Sequence, residues 1–270
     1  METAVTWQSR RVSQQPRPRG QTGPVVNRVL HLLGAFTAQR PVLTLTELSR
    51  RAGVPLSTTH RMVNQLVDWG ALERDDDGLY RVGLRLWELA ALAPRGPGLR
   101  ERALPYLEDL SQVTRENVQL AVREGSAVIF VEHIAGSGAV PVYTRVGTRL
   151  PTTATGAGLV LLAHAPAEVQ DEVLSGPCER YTPHTVTNPR VLRRMLADVR
   201  TKGFVISDRQ LSLDTLSVAA PVYDRRTVVA AVSLVVRHGA APQLLVPPLL
   251  TSARAISRSL TGSTADRRPA

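Results

Sequence analysis

At 270 residues and 43% apolar side chains, the chain is longer than one typical domain and can bury cores of ordinary size, which excludes wholesale disorder. Its longest apolar runs, Gly158–Ala163 and Val228–Val236, are too short to span a bilayer. The N-terminal stretch carries no apolar export core, and the single cysteine, Cys178, excludes an intrachain disulfide and a multi-cysteine zinc site, so a cytoplasmic protein is expected. The formal charge of +10 sits largely at the two ends, where Arg10, Arg11, Arg17 and Arg19 face only Glu2; such ends either grip phosphates or are simply solvated, and net charge alone does not choose.

Residues 1–23, polar and rich in Pro and Gln, read as a disordered basic arm. A first domain is expected over residues 24–83. Val26, Val29, Leu30 and Leu33 recur at helical spacing and predict a helix over Val25–Phe36. Thr46 ahead of Glu47 is read as an N-cap, with Leu48 and Ala52 inward and Gly53 as the stop. Ser57 is read as the cap of a third helix, Thr58 to Trp69, ended by Gly70. Two extended pieces, Ala71–Arg74 and Leu79–Val82, flank Asp75-Asp76-Asp77-Gly78, whose Asp-Gly pair signals a hairpin.

Leu84–Leu92 reads as an amphipathic helix, and Pro94, Gly96, Pro97 and Gly98 break it, making residues 84–98 a linker helix and hinge. The second domain, 99–261, opens with a helix over Leu99–Val113. Strand-like runs follow at Asn117–Arg123, Ala127–Ile134, Val140–Val146, Val205–Ser207, Leu216–Tyr223 and Val228–Val236. Helices are expected at Thr155–Ala163, Glu168–Leu174, Pro189–Lys202 with Asn188 as cap, and Pro242–Leu260, before a disordered tail over 262–270. This mixed order predicts an α+β sheet domain rather than a doubly wound parallel one.

Thr46–Gly70 combines helix, a tight turn at Gly53-Val54-Pro55, and helix, the logic of a helix-turn-helix. Leu48, Ala52 and Val54 can pack on Met62, Val63 and Leu66, which leaves Ser57, Thr58, Arg61, Asn64 and Gln65 facing outward. Hydroxyls and helix N-terminal amides suit phosphates, while Arg and Asn suit the base edges of G and A. An ordinary helical hairpin with a polar face satisfies the same pattern. The hairpin would be a wing whose Glu73 and Asp75–Asp77 repel phosphates, so either its tip faces away or Arg74 and Arg81 make the contact from its stem.

The stretch from Thr44 through Ser57-Thr-Thr-His-Arg61 to Val63, then Gly70 and Tyr80-Arg-Val-Gly83, resembles the winged helix of IclR-type transcription regulators. The similarity continues through Leu104-Pro-Tyr-Leu, Glu116-Asn-Val-Gln-Leu-Ala-Val, Gly147-Thr-Arg-Leu-Pro, Thr155-Gly-Ala-Gly and Ala219-Ala-Pro-Val, covering about residues 25–261. It implies an N-terminal winged helix-turn-helix joined by a linker helix to a GAF-like antiparallel-sheet effector domain. The implied partners are a double-stranded DNA operator, a small-molecule effector of organic-acid type, and a second copy of the chain in a homodimer or a dimer of dimers. Neither cofactor nor metal nor membrane is implied. The implied DNA contacts are Ser57, Thr58, Thr59, His60, Arg61, Asn64, Gln65 and Arg81.

For the effector, the sequence places Gly156 and Gly158 at a strand-to-helix transition, where free amides seat a carboxylate or where the glycines serve turn and packing alone. The resemblance assigns Gly156 and Ala157 to the loop amides that hold an acidic ligand, and Ser207, Ser217 and Ser233 to polar contacts. Ser207 stands where the family often has Asp, Ser217 where it often has Cys, Gln210 where an acidic residue is usual, Asp214 for a common Gly, and Leu159 for a Lys. The ligand is therefore expected to differ from the small keto acids linked with the family's namesake. His133 and Arg145 fall on strand-like runs and could reach the pocket, although placement on the sheet surface is expected for both. Cys178 reads as an incidental thiol. No nucleophile elbow, P-loop, kinase motif or His-ligand spacing occurs, so a regulator is expected rather than an enzyme on the second domain. The changed pocket positions keep one more alternative open, a regulator that binds DNA without any effector.

Overall fold

The computed structural model describes residues 24–37, 39–93, 97–142 and 144–262. The expectations for residues 1–23, for Pro94 and Gly96, and for the tail after Gly262 lie outside the described residues. The chain divides into two compact units after Ala93.

In the first unit, α1 (Val25–Leu33) ends a turn before the expected Phe36. A two-residue strand with no signal of its own in the sequence, β1 (Val42–Leu43), precedes α2 (Leu45–Ala52). The cap of α2 is Thr44, not Thr46. Thr44 stands three residues before Glu47, so its hydroxyl accepts the Glu47 N–H at 3.2 Å while the Glu47 carboxylate accepts the Thr44 N–H at 2.9 Å, a reciprocal box that Thr46 cannot form. Gly53 stops α2 at φ 67°, a left-handed conformation that glycine adopts without Cβ strain. α3 (Leu56–Asp68) then starts earlier than expected: Pro55 occupies the cap position and Ser57 lies inside the first turn. β2 (Leu72–Arg74) and β3 (Tyr80–Val82) pair antiparallel, and β1 adds to the other edge of β3. α4 (Leu84–Ala91) closes the unit. Leu32, Leu43, Leu48, Met62, Val63, Leu72 and Tyr80 form one buried core beneath these elements.

The second unit opens with α5 (Pro97–Thr114), which begins two residues earlier than expected. Pro97 starts the helix rather than breaking it, because a first-turn residue needs no intrahelical N–H bond. An antiparallel sheet of order β6-β5-β4-β9-β8-β7 follows, built from β4 (Asn117–Glu124), β5 (Ala127–Ile134), β6 (Arg149–Pro151), β7 (Val205–Asp208), β8 (Thr215–Asp224) and β9 (Thr227–Arg237). Between β6 and β7 lie α6 (Gly156–Ala163), α7 (Ala167–Ser175) and α8 (Pro189–Lys202), and α9 (Pro242–Gly262) ends the unit. Among the described residues of Val140–Val146 the expected strand does not form. The Val140 carbonyl accepts the Asn117 side-chain amide at 2.7 Å.

Alternation along the strands separates two cores. Val118, Leu120, Val218, Ala220, Val232 and Leu234 face α5 and α9. Ala121, Phe130, Ala219 and Ala231 face α6 and α8. The architecture is therefore α+β: a winged helix-turn-helix unit followed by an antiparallel sheet with helices on both faces.

Candidate nucleic-acid interface and effector site

In the first unit, α3 is built with two opposed faces. Thr59, Met62 and Val63 are buried on one side, packed with Leu48, Ala52 and Val54. Ser57, His60, Arg61, Asn64 and Gln65 recur at helical spacing on the other side and are all exposed, and Thr58 is half-buried at the border. Thr59 does not belong among the contacts: it is 0% exposed, and its hydroxyl donates to the Val54 carbonyl at 3.2 Å, tying α3 to the preceding turn. Ser49 donates to the same carbonyl at 2.6 Å. The outward face of α3 is thus set by two hydroxyls bonded at the turn as well as by apolar packing.

The hairpin turns at Gly78, with φ 77°, and the Asp75 carboxylate accepts the Leu79 N–H at 2.8 Å. Arg81 lies 3.9 Å from Glu73 and 3.7 Å from Asp75, and the Arg74 guanidinium sits 5.7 Å from the centre of the Tyr80 ring. Exposed ion pairs of this kind contribute about 0–1 kcal/mol, so Arg81 can exchange its carboxylates for another anion at small cost.

In the second unit, Thr155 caps α6, its hydroxyl accepting the Gly158 N–H at 3.1 Å. The N–H groups of Gly156 and Ala157, first in the helix, lack intrahelical partners by construction. A Cβ on Gly156 would lie 2.6 Å from the Ser217 hydroxyl oxygen, so the start of α6 rests directly on β8 with no room for a side chain. The sheet register brings the other predicted positions alongside: Ser207 pairs with Ser217, and Ala219 pairs with Ser233. Ser207 and Ser233 are buried and Ser217 is half-buried.

The same face carries polar residues that sequence reasoning did not single out. Gln119 pairs with Ser233 on one side and with His133 on the other. Its side-chain amide donates to the Thr144 hydroxyl. Asn117 faces the same way, and His133 Nε2 lies 3.1 Å from the Asn117 Oδ1. Burial holds the His133 imidazole below its ordinary value, against the opposing charge of Glu132. The available signal was the alternation of Asn117 and Gln119 with apolar neighbours, which puts two amides on one face of an otherwise apolar strand. Arg145 is exposed, its N–H bonded to the Thr148 hydroxyl at 2.9 Å.

Two sequence-family descriptions match the chain: the IclR helix-turn-helix domain over residues 25–76, and the bacterial transcriptional regulator IclR C-terminal domain over residues 95–258. The chain belongs to the IclR family. It is 32% identical over 201 residues to the HTH-type transcriptional regulator KipR of Bacillus subtilis, covering 74% of this chain and 80% of that protein. The HTH-type transcriptional regulator XynR of Escherichia coli is 30% identical over 212 residues, covering 77% and 84% respectively. Among solved structures, an IclR homologue from Microbacterium hydrocarbonoxydans complexed with 4-hydroxybenzoate superposes with a TM-score of 0.85 at 40% identity, covering 88% of this chain and 99% of that one. The protein is therefore a DNA-binding transcription regulator of the helix-turn-helix type.

Within this IclR fold, one departure noted in the sequence has a local structural role. Gln210 is buried, its side-chain oxygen accepting the Val186 N–H at 3.3 Å and its carbonyl accepting the Thr185 hydroxyl at 2.6 Å, so it anchors the loop before α8. Cys178 packs against the α6-side core, and burial pushes its thiol above the ordinary value, away from the reactive thiolate.

Proposed function

We propose that this regulator grips an operator with the outward face of α3 and that a small organic acid, bound where α6 meets the sheet, modulates that grip. The observation that carries the DNA reading is the division of α3 into a fully packed face and a polar, exposed one. Arg61, Asn64 and Gln65, all exposed, would read base edges, and Ser57, Thr58 and His60 would bind backbone phosphates. Arg81 would reach a phosphate from the wing stem, trading its weak contacts with Glu73 and Asp75.

A single recognition helix contacts few base pairs, so two copies reading two half-sites are expected. α1 and α4 supply apolar surface for that pairing: Val25, Val26 and Leu30 on one, Leu84, Trp87, Leu89 and Leu92 on the other, all exposed. Pairing through the second units would make a dimer of dimers. The relatives are transcription regulators, and this reading has no catalytic step. Among the described residues no helix is long and apolar enough to cross a membrane, which fits a protein that works on DNA in the cytoplasm.

The effector reading rests on Gly156 and Ala157 as amide donors to a carboxylate, with the Ser207, Ser217 and Ser233 hydroxyls adjoining them on the same sheet face. The complex of the Microbacterium homologue with 4-hydroxybenzoate supports an aromatic acid as the class. Ligand and operator would then affect each other's affinity reciprocally. Thermal unfolding with a panel of aromatic and keto acids tests this. A binder raises the melting temperature by mass action and shifts operator affinity, whereas a panel without any shift leaves a regulator that acts without an effector.

A further inference from the structure

The hairpin that joins β8 to β9 closes on a pair of arginines. Asp224 pairs with Thr227, which leaves Arg225 and Arg226 as the turn itself. Arg225 holds a left-handed φ of 55°, a conformation for which Asn or Gly is the relaxed choice in a two-residue hairpin turn. The turn lies against the end of α9: the Ser257 hydroxyl accepts the Tyr223 N–H at 2.9 Å, and the Thr261 hydroxyl accepts the Arg225 N–H at 3.3 Å. Arg258 falls between those two contacts along α9, and Arg254 precedes it by about one helical turn, roughly 6 Å along the axis. Arg225, Arg226, Arg254 and Arg258 are all exposed. Among the described residues none of them forms a salt bridge, although Asp224 adjoins the turn. α9 itself contains no Asp or Glu.

We propose that these four arginines form a second DNA contact, through which the second unit holds backbone phosphates of duplex DNA outside the operator bases. Like charges gathered on two adjoining elements repel one another, and no ion pair offsets them here, so the cluster is complementary to an extended anion. The guanidinia are exposed and spread over a hairpin and a helix. A small anion meets them one at a time, whereas a duplex offers phosphates to all of them together. The helix dipole does not account for the cluster, because Arg254 and Arg258 lie before the last turn of α9 and the other two are not helical. Both units belong to one chain, so phosphate contacts too weak to bind alone add to the grip of the helix-turn-helix. They carry no sequence information and leave operator choice to the first unit.

The test is binding of the full chain to a random-sequence duplex of about 60 base pairs, read as the slope of log affinity against log salt. Wild type is compared with Arg225→Gln/Arg226→Gln and with Arg254→Gln/Arg258→Gln, and the series is repeated on single-stranded RNA of equal length. Two lost phosphate contacts flatten the slope by about 2, so the wild-type advantage over each variant grows about tenfold from about 200 to about 50 mM salt. Arg254→Lys/Arg258→Lys keeps the charge and is expected to keep the wild-type slope. Unchanged slopes in both glutamine pairs overturn the proposal. A lysine pair that behaves like the glutamine pair assigns these residues to structure and overturns it too. A loss seen on RNA and absent on the duplex overturns DNA as the partner. The random duplex holds no operator, so the outcome does not depend on which bases α3 reads. The two pairs sit on separate elements, so if thermal unfolding shows that one variant does not fold, the other decides.

Discussion

Gly156 and Ser217 touch across the start of α6, where a methyl group on Gly156 would fall 2.6 Å from the Ser217 hydroxyl oxygen and 3.4 Å from the Ala219 methyl. Gly156→Ala is therefore expected to destabilise the second unit by about 1–3 kcal/mol, the range for overpacking a filled site. Ser217→Ala removes the nearest atom, so the double variant regains part of the loss. Urea unfolding of the two single variants and the double variant measures the coupling; strictly additive effects would contradict this contact.

Thr59 and Arg61, two residues apart on α3, separate structure from recognition. Thr59→Val keeps the shape but deletes the donor to the Val54 carbonyl, which still accepts from Ser49. A loss of about 0.5–1.5 kcal/mol of stability is expected, with operator affinity of the folded protein unchanged. A loss of affinity without loss of stability would return Thr59 to the interface.

Acid sensitivity is expected at the cap of α2. Hydrogen bonds from the Thr44 N–H and hydroxyl, helped by Arg40 and Arg50, hold the Glu47 carboxyl below its ordinary value of 4.5. The folded state thus binds this proton less readily than the unfolded chain. The stabilisation is present above 4.5 and is lost as pH falls through the lowered folded value. Denaturation at stepped pH should show a steeper acid loss for wild type than for Glu47→Gln, and parallel curves would contradict the box. Thr44→Ala should cost about 0.5–2 kcal/mol at neutral pH.

The exposed Trp87 on α4 tests pairing. Trp87→Glu places a charge in the apolar surface assigned to the partner and should weaken association of the chain by about 2 kcal/mol or more, read by sedimentation equilibrium. Unchanged association would move the interface elsewhere.

Local signals carried much of the fold. Asn188-Pro189 and Gly203 bracket α8 with a side-chain cap and a left-handed stop, and its bounds are those read from the sequence. Errors arose where two residues competed for one role. Thr44 and Thr46 both precede Glu47, and only the three-residue spacing of Thr44 closes the box. Val140–Val146 reads as a strand from its residues alone, because local sequence does not report whether a ladder partner exists. Strand register is a long-range property, so nothing local announces that Gln119 will lie beside Ser233, more than a hundred positions away. The predicted serines were legible only through family resemblance, and the amides at Asn117 and Gln119 only through their alternation with apolar neighbours.

The most direct measurement is operator binding by wild type and Arg61→Ala, using DNA fragments selected from the source genome and followed by gel shift alongside thermal unfolding. Arg61 is exposed, so on its truncation the melting temperature should hold while affinity falls by at least about tenfold, the worth of one base contact. Equal affinity of the two proteins for the selected fragment would contradict the placement of the outward side of α3 in the DNA groove.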